Sequence, residues 1–183
     1  IAPLATDMYL AALPAVAENL NTTSTNASLT LSAFMVGMAL GQLVVGPLSD
    51  KTGRRKPLLF GVVVCFIATV ACGFSPNIEL LIFARFMMGF TGSIGAVLAR
   101  SIVTDTTQGL ATAKLMGVMM MINGFAPVLA PLFGGWVLSW GNWRDIFHVL
   151  GVVTALMMLG VVFVVKETLP VEERYQGSAL SVY

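Results

Sequence analysis

Asp7 and Arg85 are ionisable side chains set inside otherwise apolar runs, and any chemistry in this chain has to begin with them. A charge within hydrocarbon is heavily penalised unless it is paired or wet, so an acid or base there marks a functional site by default. Asp7 stands eleven residues before Glu18, and Arg85 stands eight residues after Asn77. At about 1.5 Å per helical residue these spacings correspond to roughly 16 and 12 Å of depth from one face. The offset of about 4–5 Å is within reach of an extended arginine, so both groups can share one central cavity. Burial favours the neutral form of a carboxyl, while a neighbouring guanidinium favours its charged form. An acid held between those opposing influences can load a proton from one side and release it to the other. The same two residues also fit a structural ion pair that only orients two helices.

A second cluster lies at residues 46–56, GPLSDKTGRRK, which gathers Asp50, Lys51, Arg54, Arg55 and Lys56 between uncharged runs at 29–49 and 57–75. Lys or Arg at the centre of a membrane costs about 2.5–3.5 kcal/mol on insertion scales, so this cluster is a loop in water between two spans. The wider composition agrees. Of the 183 residues 57% are hydrophobic and 10% charged, against about 25% charged in soluble domains. With about 20 apolar residues per span, six helices fit. They are expected at 1–20, 29–48, 57–73, 78–102, 115–138 and 146–165, with 166–183 a cytoplasmic tail or linker. Lys51, Arg54, Arg55, Lys56, Arg100, Lys114, Lys166 and Arg174 then share one side, and Arg144 falls on the other. The excess of Lys and Arg places loop 46–56 and the tail in the cytoplasm.

Several positions suit these elements. Residues 21–28, NTTSTNAS, offer hydroxyls to cap the next helix. Ala33, Gly37 and Gly41 form a small face that lets another backbone come close. The fifth span carries Gly124, Pro127, Pro131, Gly134 and Gly135, where the prolines delete backbone donors and bend a helix. This cluster fits a structural kink or a pivot that closes one face. Cys65 and Cys72 are seven residues apart, about 10 Å along one helix and too far for a disulfide. His148 is expected at an interface. Composition and motifs show no basic run with aromatics for nucleic acid, no metal site, no cofactor motif and no nucleophile with a matched base, which argues against an enzyme. The chain starts at Ile1 and stops at Tyr183 after a charged tail, and is expected to be a fragment of a longer protein.

These residues resemble a known family. Gly46, Asp50, Gly53, Arg54 and Arg55 match the signature of the major facilitator superfamily between its second and third helices. GFAPVLAPLFGG, with Gly124, Pro127, Pro131, Gly134 and Gly135, resembles the antiporter motif of drug exporters. LLIFARFMMGFTGSIGA looks like the fourth-helix motif, with Arg85 at its basic position. DMYLAALP, from Asp7, and KETLP resemble the bicyclomycin-resistance (Bcr/CflA) type of drug–proton antiporter. Ala11, where that group commonly has proline, and the outer NWRD depart from its pattern.

The resemblance implies an all-α fold: a six-helix N-terminal bundle (1–165) of a twelve-helix transporter, built as two inverted three-helix repeats and facing a second bundle across a central cavity. It implies proton coupling at Asp7 with Arg85 as the responding partner. It also implies an inner-face latch in which Asp50 accepts from Arg54 or from opposing helix termini, and Asp105 pairs with Arg54 or Arg55. The expected activity is proton-coupled efflux of small amphipathic drug-like molecules across a bacterial cytoplasmic membrane, with the lipid bilayer, the proton and the second bundle as partners. Tyr9, Phe34, Met38 and Met119 are candidate substrate contacts, because Met and aromatic side chains re-pack around different ligands. Ordinary helix packing explains these four equally well. A proton-independent or importing transporter of the same superfamily, and a half-length membrane assembly module, are the alternatives.

Overall fold

Pro14 divides the first helix. It has no N–H to offer the carbonyl of Leu10, and its ring crowds that oxygen. The computed structural model, which describes residues 2–170 and Glu172, accordingly has α1 at Ala2–Leu10 and α2 at Leu13–Asn19, with Pro14 in the first turn of α2. Five long helices follow: α3 Ser24–Thr52, α4 Arg55–Gly73, α5 Ile78–Thr106, α6 Leu110–Trp140 and α7 Trp143–Val164. All five are long and apolar enough to cross a membrane. With the broken first helix they give the expected six-helix arrangement, entirely helical among the described residues. The expected tail at 166–183 falls outside the described residues at 171 and 173–183.

The helices run past the spans expected from hydropathy. The 29 residues of α3 measure about 44 Å, against a hydrocarbon core of about 30 Å. Caps rather than apolarity set their ends. Thr23 accepts the Asn26 N–H at 3.2 Å, Asn77 the Leu80 N–H at 2.9 Å, and Asn142 the Arg144 N–H at 2.8 Å. Most of segment 46–56 is therefore helical, a correction to the expected loop: only Gly53 and Arg54 separate α3 from α4. Gly53 ends α3 at φ +91°, a left-handed backbone that glycine adopts without penalty. Pro127 and Pro131 both lie within a single continuous α6.

The packing pairs are few. α3 lies along α5 and α1 along α6, while α4 bridges α5 and α7. Swapping helices one to three for four to six turns the first pair into the second, as an inverted repeat requires. Glycines make both seams. A Cβ on Gly89 of α5 would collide with the carbonyl oxygen of Phe34 in α3, and one on Gly37 with that of Phe86. A Cβ on Gly134 of α6 would sit 2.5 Å from the carbonyl oxygen of Met8 in α1. Backbones in hydrocarbon come this close only across small residues. One core cluster joins all seven helices around Tyr9, Phe34, Leu81, Met88 and Phe147. A second gathers Val45, Leu58, Val62, Ile94 and Leu98 toward the end where α3 meets α4. Cys65 and Cys72 are free and buried, as expected. The outward face of α6 remains open, with Phe125, Val128, Leu132, Phe133 and Trp136 all exposed.

Candidate functional site

Arg85 is held inside the bundle with no exposure. Its Nη1 donates to the carbonyl oxygen of Ala5 in α1 at 3.0 Å. Its guanidinium carbon lies 4.5 Å from the ring centre of Tyr9, 4.6 Å from that of Phe34 and 5.7 Å from that of Phe147. Ring faces attract a cation, and the attraction grows when water is excluded. Tyr9 is fixed in turn by a 2.9 Å bond to Thr30. The Thr30 hydroxyl hydrogen is directed to the Ala27 carbonyl at 2.6 Å, so Tyr9 is the donor. The Nε and Nη2 of Arg85 have no partner among the described residues. A buried donor left unpaired costs on the order of 1–3 kcal/mol, and more when charged.

Asp7 is close in sequence to this box but does not pair with it. The ion pairs among the described residues join Arg54 to Asp50, Arg54 to Asp105 and His148 to Asp145. The reason is angular. Asp7 follows Ala5 by two positions, roughly 200° around the helix, so α1 turns Asp7 away when it presents Ala5 to Arg85. Asp7 is half-buried. The structure thus replaces the expected pair with an arginine on a backbone carbonyl and three rings, and an acid with no ion pair among the described residues.

The other sequence candidates divide. Tyr9 and Phe34 are buried and their rings cover Arg85. Met38 and Met119 are half-buried. Met119 borders a cavity of about 200 Å³ with Asn123, Ala2, Gly92, Gly95 and Arg100. Gly124, Pro127, Pro131 and Gly135 lie on the exposed side of α6, and Gly134 meets α1.

At the end of the bundle where α3 meets α4, Arg54 is the hub. It is 9% exposed, and its guanidinium binds Asp50, Ser49 Oγ at 2.7 Å, and Asp105 Oδ2 through Nε at 3.0 Å. Burial alone would pull its pKa down, but the bonds to Asp105 and Asp50 outweigh it and hold the group above its ordinary value. Asp105 therefore pairs with Arg54 rather than Arg55. Gly46 lends its carbonyl to Ser49 at 2.8 Å. Arg55 donates from Nη2 to the Val162 carbonyl at 3.4 Å.

The residue that sequence reasoning missed is Glu167. Its carboxylate accepts the N–H of Arg54 at 2.8 Å and of Arg55 at 3.4 Å, at the start of α4. It also takes the N–H of Thr168 at 3.1 Å and of Leu169 at 3.2 Å. Burial raises its pKa, yet these four backbone donors prevail and keep it below the usual carboxylate range. Thr168 Oγ1 reaches Asp105 at 3.4 Å. The C-terminal ends of α3, α5 and α7 and the start of α4 are thereby tied into one network. An acid just after the last apolar residue of a span, inside KETLP, was the available signal.

Residues 1–180 match the sequence profile of the Major Facilitator Superfamily. The chain belongs to that family. Members of the superfamily are transporters, not enzymes. The chain is 42% identical over 180 residues to the uncharacterized MFS-type transporter YdgK of Bacillus subtilis, covering 97% of this chain and 45% of that protein. It is 31% identical to the bicyclomycin resistance protein homolog of Haemophilus influenzae, covering 94% of this chain and 43% of the relative. With the multidrug resistance protein MdtL of Citrobacter koseri the identity is 30%, over 92% and 43% respectively. The chain thus spans less than half the length of the curated relatives it matches. The human organic anion transporter MFSD10 (TETRAN) shares the fold, with a TM-score of 0.71 at 21% identity over 90% of this chain and 39% of that one. In this superfamily the six-helix bundle described above is the N-terminal half.

Proposed function

We propose that this bundle is half of a proton-coupled exporter of amphipathic, drug-like molecules in a bacterial cytoplasmic membrane, with Asp7 as the proton-coupling carboxylate. The observation that carries the reading is the interior of the bundle. A fully buried arginine with two unpaired donors faces α1, and the acid on that same short helix has no ion pair among the described residues. A turn of α1 about its own axis by close to half a revolution, roughly the angle between the two positions, exchanges the Ala5 carbonyl for the Asp7 carboxylate as the partner of Arg85. Deprotonation favours that exchange and protonation reverses it, so the charge on Asp7 sets the rotation of α1. The relatives named for bicyclomycin and multidrug resistance support that substrate class. The half-buried Met38 and Met119 are the proposed contacts, with Tyr9 and Phe34 contributing once Arg85 has moved. The network around Arg54, Asp50, Asp105 and Gly53 serves as the inner latch, and the face of Gly124, Pro127, Pro131 and Gly135 meets the second bundle.

The test is gradient-driven efflux of a fluorescent cationic dye by the protein expressed from its whole native gene. Asp7→Asn is expected to reduce efflux to background with membrane insertion intact, and Asp7→Glu to retain part of it. Wild-type efflux from Asp7→Asn would refute the proton role.

A further inference from the structure

The outer end of the molecule carries a second polar knot, at the far end of the broken first helix. The Oδ1 of Asn19, the last residue of α2, accepts from Nη1 of Arg144 and from the indole N–H of Trp143, the latter at 3.3 Å. The Nη2 of Arg144 donates to the carbonyl of Ser75, beyond the end of α4, at 3.0 Å. The guanidinium also lies 4.3 Å from the ring centre of Trp143, itself 1% exposed. One arginine therefore joins the outer ends of α2, α4 and α7.

What it holds is a short element. α2 has seven residues, too few for a helix to be stable alone. It is cut from α1 at residues 10–12, and packs chiefly on α3 through Val16 and Ala17. Ala11, Pro14, Ala15 and Glu18 are exposed. Beside it an open depression runs between α2 and the α6–α7 turn, bordered by Glu18, Asn19, Leu138 and Trp143. A short element with a break at one end and a polar pin at the other, seated in the core by Val16 and Ala17, is a part of the bundle that can open as a unit.

We propose that α2 is a flap on the outer side of the bundle, hinged at residues 10–12 and pinned by Arg144, and that releasing the pin is a step in transport. Arg144 is thus a positioning residue acting through Asn19. The flap stands on the geometry alone, whereas its place in a transport cycle rests on the exporter reading. Lysine does not replace Arg144, because a single ammonium cannot reach the Asn19 amide oxygen and the Ser75 carbonyl while stacking on an indole. Asn19→Asp, by contrast, keeps the acceptor and adds charge, and tightens the pin.

Val16 has no exposure, so a cysteine there reports opening. The whole protein carrying Val16→Cys and Cys72→Ala is placed in lipid nanodiscs and exposed to a water-soluble maleimide. Labelling is read by peptide mass spectrometry, and buried Cys65 serves as the control for general unfolding. Arg144→Ala and Arg144→Lys are expected to raise labelling at position 16 at least tenfold with Cys65 still protected, and Asn19→Asp to lower it. Equal labelling in all variants, or labelling of Cys65 in step with position 16, overturns the flap. In the efflux assay Asn19→Asp is expected to lower the maximal rate about threefold or more with KM unchanged; an unchanged rate overturns the step in transport. Should the wild-type protein move no dye at all, the exporter reading fails while the labelling result still decides the flap.

Discussion

Glu167 and Arg85 both rely on the backbone, from opposite sides of its polarity. The Glu167 carboxylate collects four N–H groups, two of them at the first turn of α4. Negative charge at a helix N-terminus stabilises by about 0.3–1 kcal/mol. Glu167→Gln is therefore expected to speed hydrogen exchange at the Arg54 and Arg55 amides by about two- to fivefold at neutral pH. The sign of the pH effect follows from the depressed pKa in the folded state. The contribution is present above the unfolded value of about 4.3 and is lost as pH falls through the lower folded value. Wild type and variant should accordingly converge in acid, and a gap that persists there would contradict the capping role. The family resemblance left Asp105 between Arg54 and Arg55, and the structure gives it to Arg54. Neither the partners of Glu167 nor the carbonyl of Ala5 beneath Arg85 was legible, since hydropathy and charge say nothing of which backbone group a side chain meets.

Among the elements, the spans themselves were readable from apolar runs, but their ends were not. α3 begins at Ser24 and continues to Thr52 because Thr23 caps it and nothing before Gly53 stops it. The break at Pro14 follows from the chemistry of proline, yet the run 1–20 read as one span because its apolarity is continuous. The small-residue face at Gly37 and Gly41 was readable as a seam, although its partner, α5, was not. That seam yields a contrast within one helix. A Cβ at position 89 strikes the Phe34 carbonyl, while one at 92 meets only Cys65 Sγ at 3.7 Å. Gly89→Ala should cost about 1–3 kcal/mol through overpacking, offset in part by about 1 kcal/mol of helix propensity. Gly92→Ala should keep that gain. Thermal unfolding in detergent is expected to show Gly89→Ala melting a few degrees below wild type and Gly92→Ala at or above it. Equal melting of the two variants would mean that α3 and α5 separate easily.

At the scale of the whole molecule, the inner network joins four helix ends through Arg54, Asp105 and Glu167. Removing its hub by Arg54→Ala leaves Asp105 and Asp50 without their shared cation. In the efflux assay this is expected to slow turnover several-fold with a smaller change in apparent affinity; equal effects on both, or none, would count against a latch. The bundle's symmetry of pairing, α3 with α5 and α1 with α6, could be anticipated only through the family resemblance, because no local pattern names a partner helix. It has a mechanical corollary. α6 touches the remainder of the bundle mainly through α1, by way of Gly134 seated on the backbone of Met8, one residue from Asp7. A push delivered to the proline-bearing helix therefore arrives first at α1, one residue from the acid, before it reaches the remaining helices, like a piston rod on a crank.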